Sequence, residues 1–301
     1  MSSNRVGVSI CICTYRRPGL LNHLLEALRG LIENDLFSWS VVVVDNDDRQ
    51  SAREVVRAAQ EWLSRPILYD VEPERSISLA RNRAIRNAGG ELIAFIDDDE
   101  FPESNWLVRL YDTLRVTDAD AVLGPVEPFF DERAPAWLVR SRLCERPRFK
   151  TGTVITDPRY TRTGNVLLRR NLFAGADGQF DRRYGKSGGG DTVFFKRMIQ
   201  HGKKLVWCDE ARVFEVVPPE RQTRGYYVKR AFARGRATAM ETRLASIGTI
   251  RSLAAIVLYT SALPFLLLLG QHLFMRYAVK DCDHLGKILG HLGISVVRER
   301  P

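Results

Sequence analysis

Short apolar runs separated by amphipathic stretches set the rhythm of the first part of the chain. Val6 to Cys13, Val41 to Val44, Ile67 to Tyr69 and Leu92 to Ile96 are too short for isolated helices and suit strands, those covered on both faces reading as continuous apolar runs. Between them, apolar residues recur at helical spacing from about Leu20 to Leu31, at Val55, Val56, Ala59 and Leu63, and from Ser76 to Asn87. Ser51 is the expected cap of the second helix, and Gly89-Gly90 closes the third. A further helix from about Asn105 to Arg115 places Trp106, Leu107, Leu110 and Leu114 on one face, before a strand at Ala121 to Leu123. Strand and helix alternating in this way predict an α/β fold: a mostly parallel sheet, right-handed crossovers and helices on both faces.

The pattern loosens beyond Pro125, where Pro128, Pro135, Pro147 and Pro158 interrupt it around one strand at Asn165 to Leu168. A substrate-specific half fits here. The turn Ser187 to Asp191 opens a helix to about His201, Leu205 to Trp207 and Arg212 to Val217 read as strands, and a basic helix runs from Thr223 to Arg236. The tail differs again. No formally charged side chain lies between Arg251 and Arg276, and SLAAIVLYTSALPFLLLLG fills most of that gap, long enough to span a bilayer. Pro264 is expected to divide it into a re-entrant or surface hairpin. That reading is preferred to a full span, which would carry Arg276, Lys280 and Lys287 across against the positive-inside tendency. Tyr277 to Leu292 reads as an amphipathic helix suited to an anionic membrane surface. The competing reading is a helical hairpin buried in the globular core.

Composition narrows the class. The chain has 301 residues, 45% of them hydrophobic, enough for one large domain or two small ones with a packed core. Lys and Arg number 45 against 36 Asp and Glu, and the formal charge of +9 favours nucleotides, anionic lipids or nucleic acid as partners. Five scattered cysteines without zinc spacing are expected to be reduced cytosolic thiols. The opening MSSNRVGVSICIC lacks the basic and long apolar regions of a secretion signal, so the amino-terminal part is expected in the cytosol.

The chemistry gathers at strand ends. Leu92 to Ile96 stops at Asp97, Asp98 and Asp99, three adjacent like charges that a hard divalent cation would relieve while bridging to phosphate. Asp45 ends the second strand and Thr14-Tyr15 the first, so the carboxyl ends of these strands form one crevice. Tyr15 is placed to stack on a base, Asp45 to accept hydrogen bonds from base or ribose, and Arg81 with Asn82 to face phosphate or carboxylate. Each has a plainer role too: Tyr15 a core aromatic, Asp45 a cap or turn residue, Arg81 a solvated helix charge.

The ordered set SICICTYRRP, VVVVDND, SLARNRAIRNAGGELIAFIDDDE, TGNVLLRR and SGGGDTVFF resembles the family 2 glycosyltransferases, inverting enzymes of the GT-A fold, over about residues 6 to 240. It looks most like bacterial succinoglycan and exopolysaccharide glucosyltransferases. The resemblance implies a GT-A domain over 1–240, with a nucleotide-sugar half at 1–124 and an acceptor half at 125–240, followed by a membrane-associating helical tail over 241–301. It implies transfer of a hexose from a UDP-sugar to a hydroxyl of a lipid-linked oligosaccharide at the cytoplasmic membrane, with the catalytic domain on the cytoplasmic side and no nucleic acid involved. Thr14, Tyr15 and Asp45 would meet the uracil with Arg81 nearby; Asp97 and Asp98 would bind the donor, Asp97 at the ribose. Asp99 would hold Mg or Mn, and Asp191 would be the general base of a single inverting displacement. Arg221, Arg230 and Arg234 match loosely a basic helix that closes over the diphosphate in relatives. Two positions depart: Gly190 stands where Glu is usual, and Val193 where many carry Asp. Asp191 also has a plainer role, capping the helix from Thr192.

Other classes fit less well. The first strand lacks the G-x-G-x-x-G turn of dinucleotide enzymes. An Asp-nucleophile phosphatase would carry its acidic motif on the first strand, and here it comes after the fourth. A non-catalytic membrane-bound assembly protein gains weight from the missing Glu.

Overall fold

The computed structural model describes residues 5–175, 178–185, 188–294 and 296, which form two compact units: Met1–Glu127 with Arg146–Glu215, and Pro128–Glu145 with Val216–Pro301. In chain order the elements are β1 (Val6–Thr14), α1 (Pro18–Arg29), β2 (Phe37–Asp45), α2 (Arg53–Trp62), β3 (Ile67–Val71), α3 (Ile77–Asn87) and β4 (Leu92–Ile96). Next come β5 (Glu100–Pro102), α4 (Trp106–Thr117), β6 (Ala121–Leu123), β7 (Val126–Phe129), α5 (Ala136–Ser141), β8 (Asn165–Arg169) and α6 (Gly190–Gln200). The chain then forms β9 (Leu205–Trp207), β10 (Val213–Val216), α7 (Arg224–Glu241), α8 (Ile247–Leu269) and α9 (Gln271–His291).

The first unit is built on a seven-stranded sheet of order β3-β2-β1-β4-β8-β6-β9. Only β8 is antiparallel to its neighbours; β1 pairs in parallel with β2 and β4, and β6 with β9. Period-two alternation sorts each strand between two cores. Val8, Ile10, Ile12, Val41, Val43, Ala94 and Ile96 meet the side chains of α1, α2 and α4, whereas Cys11, Val42, Val44, Ile93 and Phe95 meet those of α3 and α6. β2 starts at Phe37, earlier than its valine run, because Phe37 and Trp39 turn inward while Ser38 stays exposed. After β3 the chain returns to the far side of β1 as β4, so the strand order reverses between these two neighbours. A crevice at such a reversal is where open α/β sheets place ligands. Thr14 and the Asp triplet lie there. A cavity of about 520 Å³ lined by Val6, Leu92 and Tyr111 opens at the opposite end of the same strands.

Two local expectations change. Ser51 does not cap α2; its Oγ accepts from the Arg16 amide at 3.2 Å, and Asp45 Oδ2 takes the Ala52 amide at 2.7 Å. A carboxylate anchored in β2 outcompetes the nearby hydroxyl for that helix-entry donor. Nor does Asp191 cap α6, whose N-cap is Gly189 at φ 85°. Ser187, the start of the expected turn, lies outside the described residues.

In the second unit α5, α7 and α9 share a small core of Leu138, Tyr227, Ala231, Met275 and Val279. α7 and α9 approach so closely that a Cβ on Gly235 would lie 2.1 Å from the Asp283 carbonyl oxygen, and one on Gly286 2.6 Å from that of Phe232. α8 is one unbroken helix with Pro264 inside it, and the chain reverses at Gly270, φ 138°. Pro264 therefore does not make the hairpin. The four leucines after it are strong helix formers that carry the helix on, and Gly270 accepts a conformation that other residues resist.

Candidate active site

β1, β2 and β4 end side by side in parallel register, which brings Thr14, Asp45 and the residues after Ile96 to one edge. Thr14 Oγ1 donates to Asp98 Oδ2 at 2.8 Å, and Arg17 Nη1 reaches both Asp98 at 3.1 Å and Asp99 at 3.0 Å. Asp98 is buried; Asp97 and Asp99 are partly open. Asp45 is fully buried and already accepts from Asp47 N, Ala52 N and Tyr69 OH. The Tyr15 ring is engaged by two guanidiniums, Arg16 at 5.0 Å and Arg75 at 4.8 Å from its centroid.

Arg81, on α3 and buried, joins two acidic sites far apart in sequence. Its Nη1 donates to Asp191 Oδ1 at 2.7 Å and its Nη2 lies 3.8 Å from Asp97. Asp191 Oδ2 accepts from Thr163 Oγ1 at 3.0 Å and more weakly from its amide at 3.4 Å. Burial pushes the Asp191 carboxyl up, but the Arg81 charge and the Thr163 bonds outweigh it and hold the group below the usual carboxylate range. Asp97 behaves in the opposite way. Withdrawal from bulk water, with the charges of Asp99, Asp191 and Asp98, lifts it to about 7 against the pull of Arg81, although 46% of its side chain remains open. Burial also raises Asp98 despite Thr14 and Arg17.

Among the described residues no group of three or more His, Cys, Asp or Glu is arranged around a single ion position. The donor chemistry nevertheless fits a hard divalent cation. Asp97, Asp98, Asp99 and Asp191 crowd around Arg17 and Arg81, four carboxylates to two guanidiniums, and carboxylate oxygens are the ligands such an ion takes. Asp99 could hold such an ion by sharing its carboxylate with Arg17, with Asp97 beside it.

Several predicted residues thus meet, and others turn out to be scaffold. Asn82 exchanges two hydrogen bonds of 2.8 Å with the Phe180 backbone, leaving its amide committed to the loop before α6. Arg17, Arg75 and Thr163 were not foreseen as site residues. Thr163 was legible as the first residue of TGN, whose Asn165 ties Trp106, Pro125 and Ala211 together. At Gly190 a Cβ would sit 3.4 Å from Ser78 Oγ and 3.5 Å from Tyr184 Cβ, ordinary contacts, and the buried Ser78 hydroxyl has no partner among the described residues.

Comparison with known proteins gives the family and the fold. The Glycosyl transferase family 2 model matches residues 9–175. Succinoglycan biosynthesis protein ExoM of Rhizobium meliloti (strain 1021) is 36% identical over 236 residues, 78% of this chain and 75% of that protein. Staphylococcus aureus TarS superposes with a TM-score of 0.58 at 15% identity, covering 95% of this chain and 55% of TarS. The complex of TarS 1–349 with UDP-GlcNAc gives 0.57 at 14% identity, covering 96% and 93%. GalNAc-T7 with UDP, GalNAc and Mn2+ gives 0.57 at 14% identity, covering 82% of this chain and 53% of its own. These structures share the fold.

Proposed function

The chain belongs to glycosyl transferase family 2, and we propose that it moves a hexose from a UDP-sugar, with inversion, onto a hydroxyl of a lipid-linked oligosaccharide at the cytoplasmic membrane. It is a glycosyltransferase related to an exopolysaccharide enzyme. The observation that carries the finer reading is the bridge made by Arg81, which sets Asp191 and the Asp97 to Asp99 triplet on either side of one guanidinium at the sheet's carboxyl edge. In this reading Asp191 takes the proton of the acceptor hydroxyl as its oxygen attacks the anomeric carbon. The bond from that carbon to the β-phosphate oxygen breaks on the opposite face, and UDP departs. Thr163 aims the base. Tyr15 and Asp45 lie toward the uracil end, with Thr14 bracing Asp98; Asp97 lies toward the ribose. A Mg or Mn ion held by Asp99 would neutralise the departing diphosphate, and the UDP, UDP-GlcNAc and Mn2+ named with the structural neighbours support that choice.

The second unit supports membrane attachment. α8 is long and apolar enough to cross a membrane, and only 6% of its most apolar stretch is buried. Two of its polar residues bond to α9: Thr260 donates to Asp281 at 2.9 Å, and Ser252 lies 3.2 Å from His284 Nδ1. Leu253, Leu258, Leu267, Leu268, Leu269 and Phe265 are exposed. So broad an exposed apolar surface suits lipid and not a protein core. Because α9 returns along α8 carrying Arg276, Lys280, Asp281 and Lys287, attachment by the outer face of the hairpin is preferred to a span. On this reading 1–240 is catalytic, with donor and acceptor halves at 1–124 and 125–240, 241–301 anchors it, and the site faces the cytoplasm.

The test is release of UDP from a panel of UDP-sugars by purified full-length protein with Mn, with and without lipid-linked oligosaccharide from an exopolysaccharide-producing bacterium. Acceptor-stimulated release giving the inverted anomer is expected. No release from any UDP-sugar, with no UDP binding by calorimetry, would overturn the reading.

A further inference from the structure

Arg162 lies in the loop entering β8, between Thr161 and Thr163, both buried. Thr163 donates to Asp191, and the next residue, Gly164, is so close to Glu100 that a Cβ there would lie 2.4 Å from Glu100 Oε1. Arg162 is therefore one residue from the group that aims the base. Yet it forms no hydrogen bond or ion pair with any of the described residues. Each charged group near it is committed elsewhere. Asp191 is held by Arg81 and Thr163, Glu215 pairs with Arg146, and Glu100 Oε2 accepts from the Asp97 amide at 3.1 Å. Burial, with the like charge of Arg146, pulls the Arg162 pKa down to about 10 while leaving the group charged at neutral pH.

Arg162 is partly buried, and a guanidinium in that setting with no protein partner has its planar fork free for one class of partner, an oxyanion held by two parallel N–H bonds. From the placement of this unpaired fork beside Thr163 we infer that Arg162 is a specificity residue on the acceptor side, binding a carboxylate or phosphate carried by the sugar that accepts the hexose or joined directly to it. The inference rests on the reading of Asp191 as the base. It assigns the anion to the acceptor because Arg17 pairs with the donor-side Asp98 and Asp99, whereas Arg162 adjoins Thr163, the residue that positions the base. The guanidinium lies near enough to Asp191, Glu100 and Glu215 to interact electrostatically with each, which places an anion held by it beside the base.

The experiment uses full-length protein in detergent, saturated with UDP and Mn, titrated calorimetrically with methyl glucuronide, glucose 1-phosphate and neutral methyl glucoside. At least one anionic probe should bind tenfold or more tighter than the neutral one; the carboxylate and phosphate arms identify which source the site takes. Arg162→Gln should abolish that preference, and Arg162→Lys should keep part of it. Melting of Arg162→Gln at or above the native temperature would separate lost recognition from lost folding, since a guanidinium that bonds to no described residue does not hold the loop together. Equal binding of all three probes by the native protein overturns the inference, as does a Gln variant that retains the preference. So does a Gln variant whose UDP affinity falls as far as its affinity for the anionic probe, because the guanidinium would then serve the donor. Failure of UDP release in the native protein would instead overturn the base and donor assignment, a result separable from these.

Discussion

β4 and α8 are both apolar runs, and they treat apolar surface in opposite ways. In β4 every residue from Leu92 to Ile96 is buried, and charge begins only where the strand ends. In α8 the buried residues are Thr249 and Ser252, while Phe265 is 70% and Leu268 85% exposed. Hydropathy alone does not distinguish them. The partner does: β4 lies between two helical layers, whereas α8 packs against α9 and bonds to it through Thr260 and Ser252. The first unit is arranged for water outside. α8 is arranged for something apolar outside, and the two regions should answer separately to substitution.

The largest expected effect sharpens that separation on the catalytic side. Asp191→Asn should lower acceptor-dependent turnover by roughly two to four orders of magnitude, the scale for losing a positioned base. Its membrane fraction should stay native on flotation, and a melting curve would report any cost of leaving Arg81 without its nearest anion. Near-native transfer would mean that the base lies elsewhere.

A truncation pair tests the packing contrast itself. Ile10→Ala, in the fully buried core, should destabilise by about 2–5 kcal/mol in urea titration. Leu268→Ala should stay within about 0.5 kcal/mol of native in the same assay. Equal losses at the two positions would break the comparison and show α8 to be ordinary core.

Charge on the outer face of α8 is the converse experiment. Val257→Lys combined with Leu268→Lys should shift the ratio of membrane-bound to soluble protein at least tenfold toward soluble in liposome sedimentation, given about 2.5–3.5 kcal/mol per charge at full depth and less near the interface. UDP affinity should be unchanged. A smaller effect is expected at the metal: Asp99→Asn should weaken UDP binding in Mn by about tenfold and leave binding in EDTA unaltered, by calorimetry. Unchanged Mn dependence would remove Asp99 from the ion.

Much of the catalytic frame was legible because its signals are local. Apolar runs of strand length ending in Thr14, Asp45 and Asp97 can be read in windows of a few residues, and parallel pairing then aligns their ends. The pairs that join the candidate site were not legible. Arg81 and Asp191 are 110 positions apart, Arg17 and Asp98 are 81, and no periodicity links them. Thr163 stood in a readable motif, but its role depends on β8 running antiparallel between β4 and β6.

The tail divides in the same way. Its length, its lack of charge from Ser252 to Met275 and the amphipathic pattern of Tyr277 to Leu292 were set by the order of residues alone. Where it turns was decided by the folded helices, since Pro264 costs one backbone bond that a long apolar helix can absorb, while Gly270 offers a conformation the neighbouring leucines resist. Which way α8 faces was decided by α9, whose Asp281 and His284 supply partners for Thr260 and Ser252. Backbone preference and hydropathy act on each residue where it stands, so the chain order reveals them. Hydrogen bonds and ion pairs need a second group brought within about 3 Å, and only the tertiary fold brings it there.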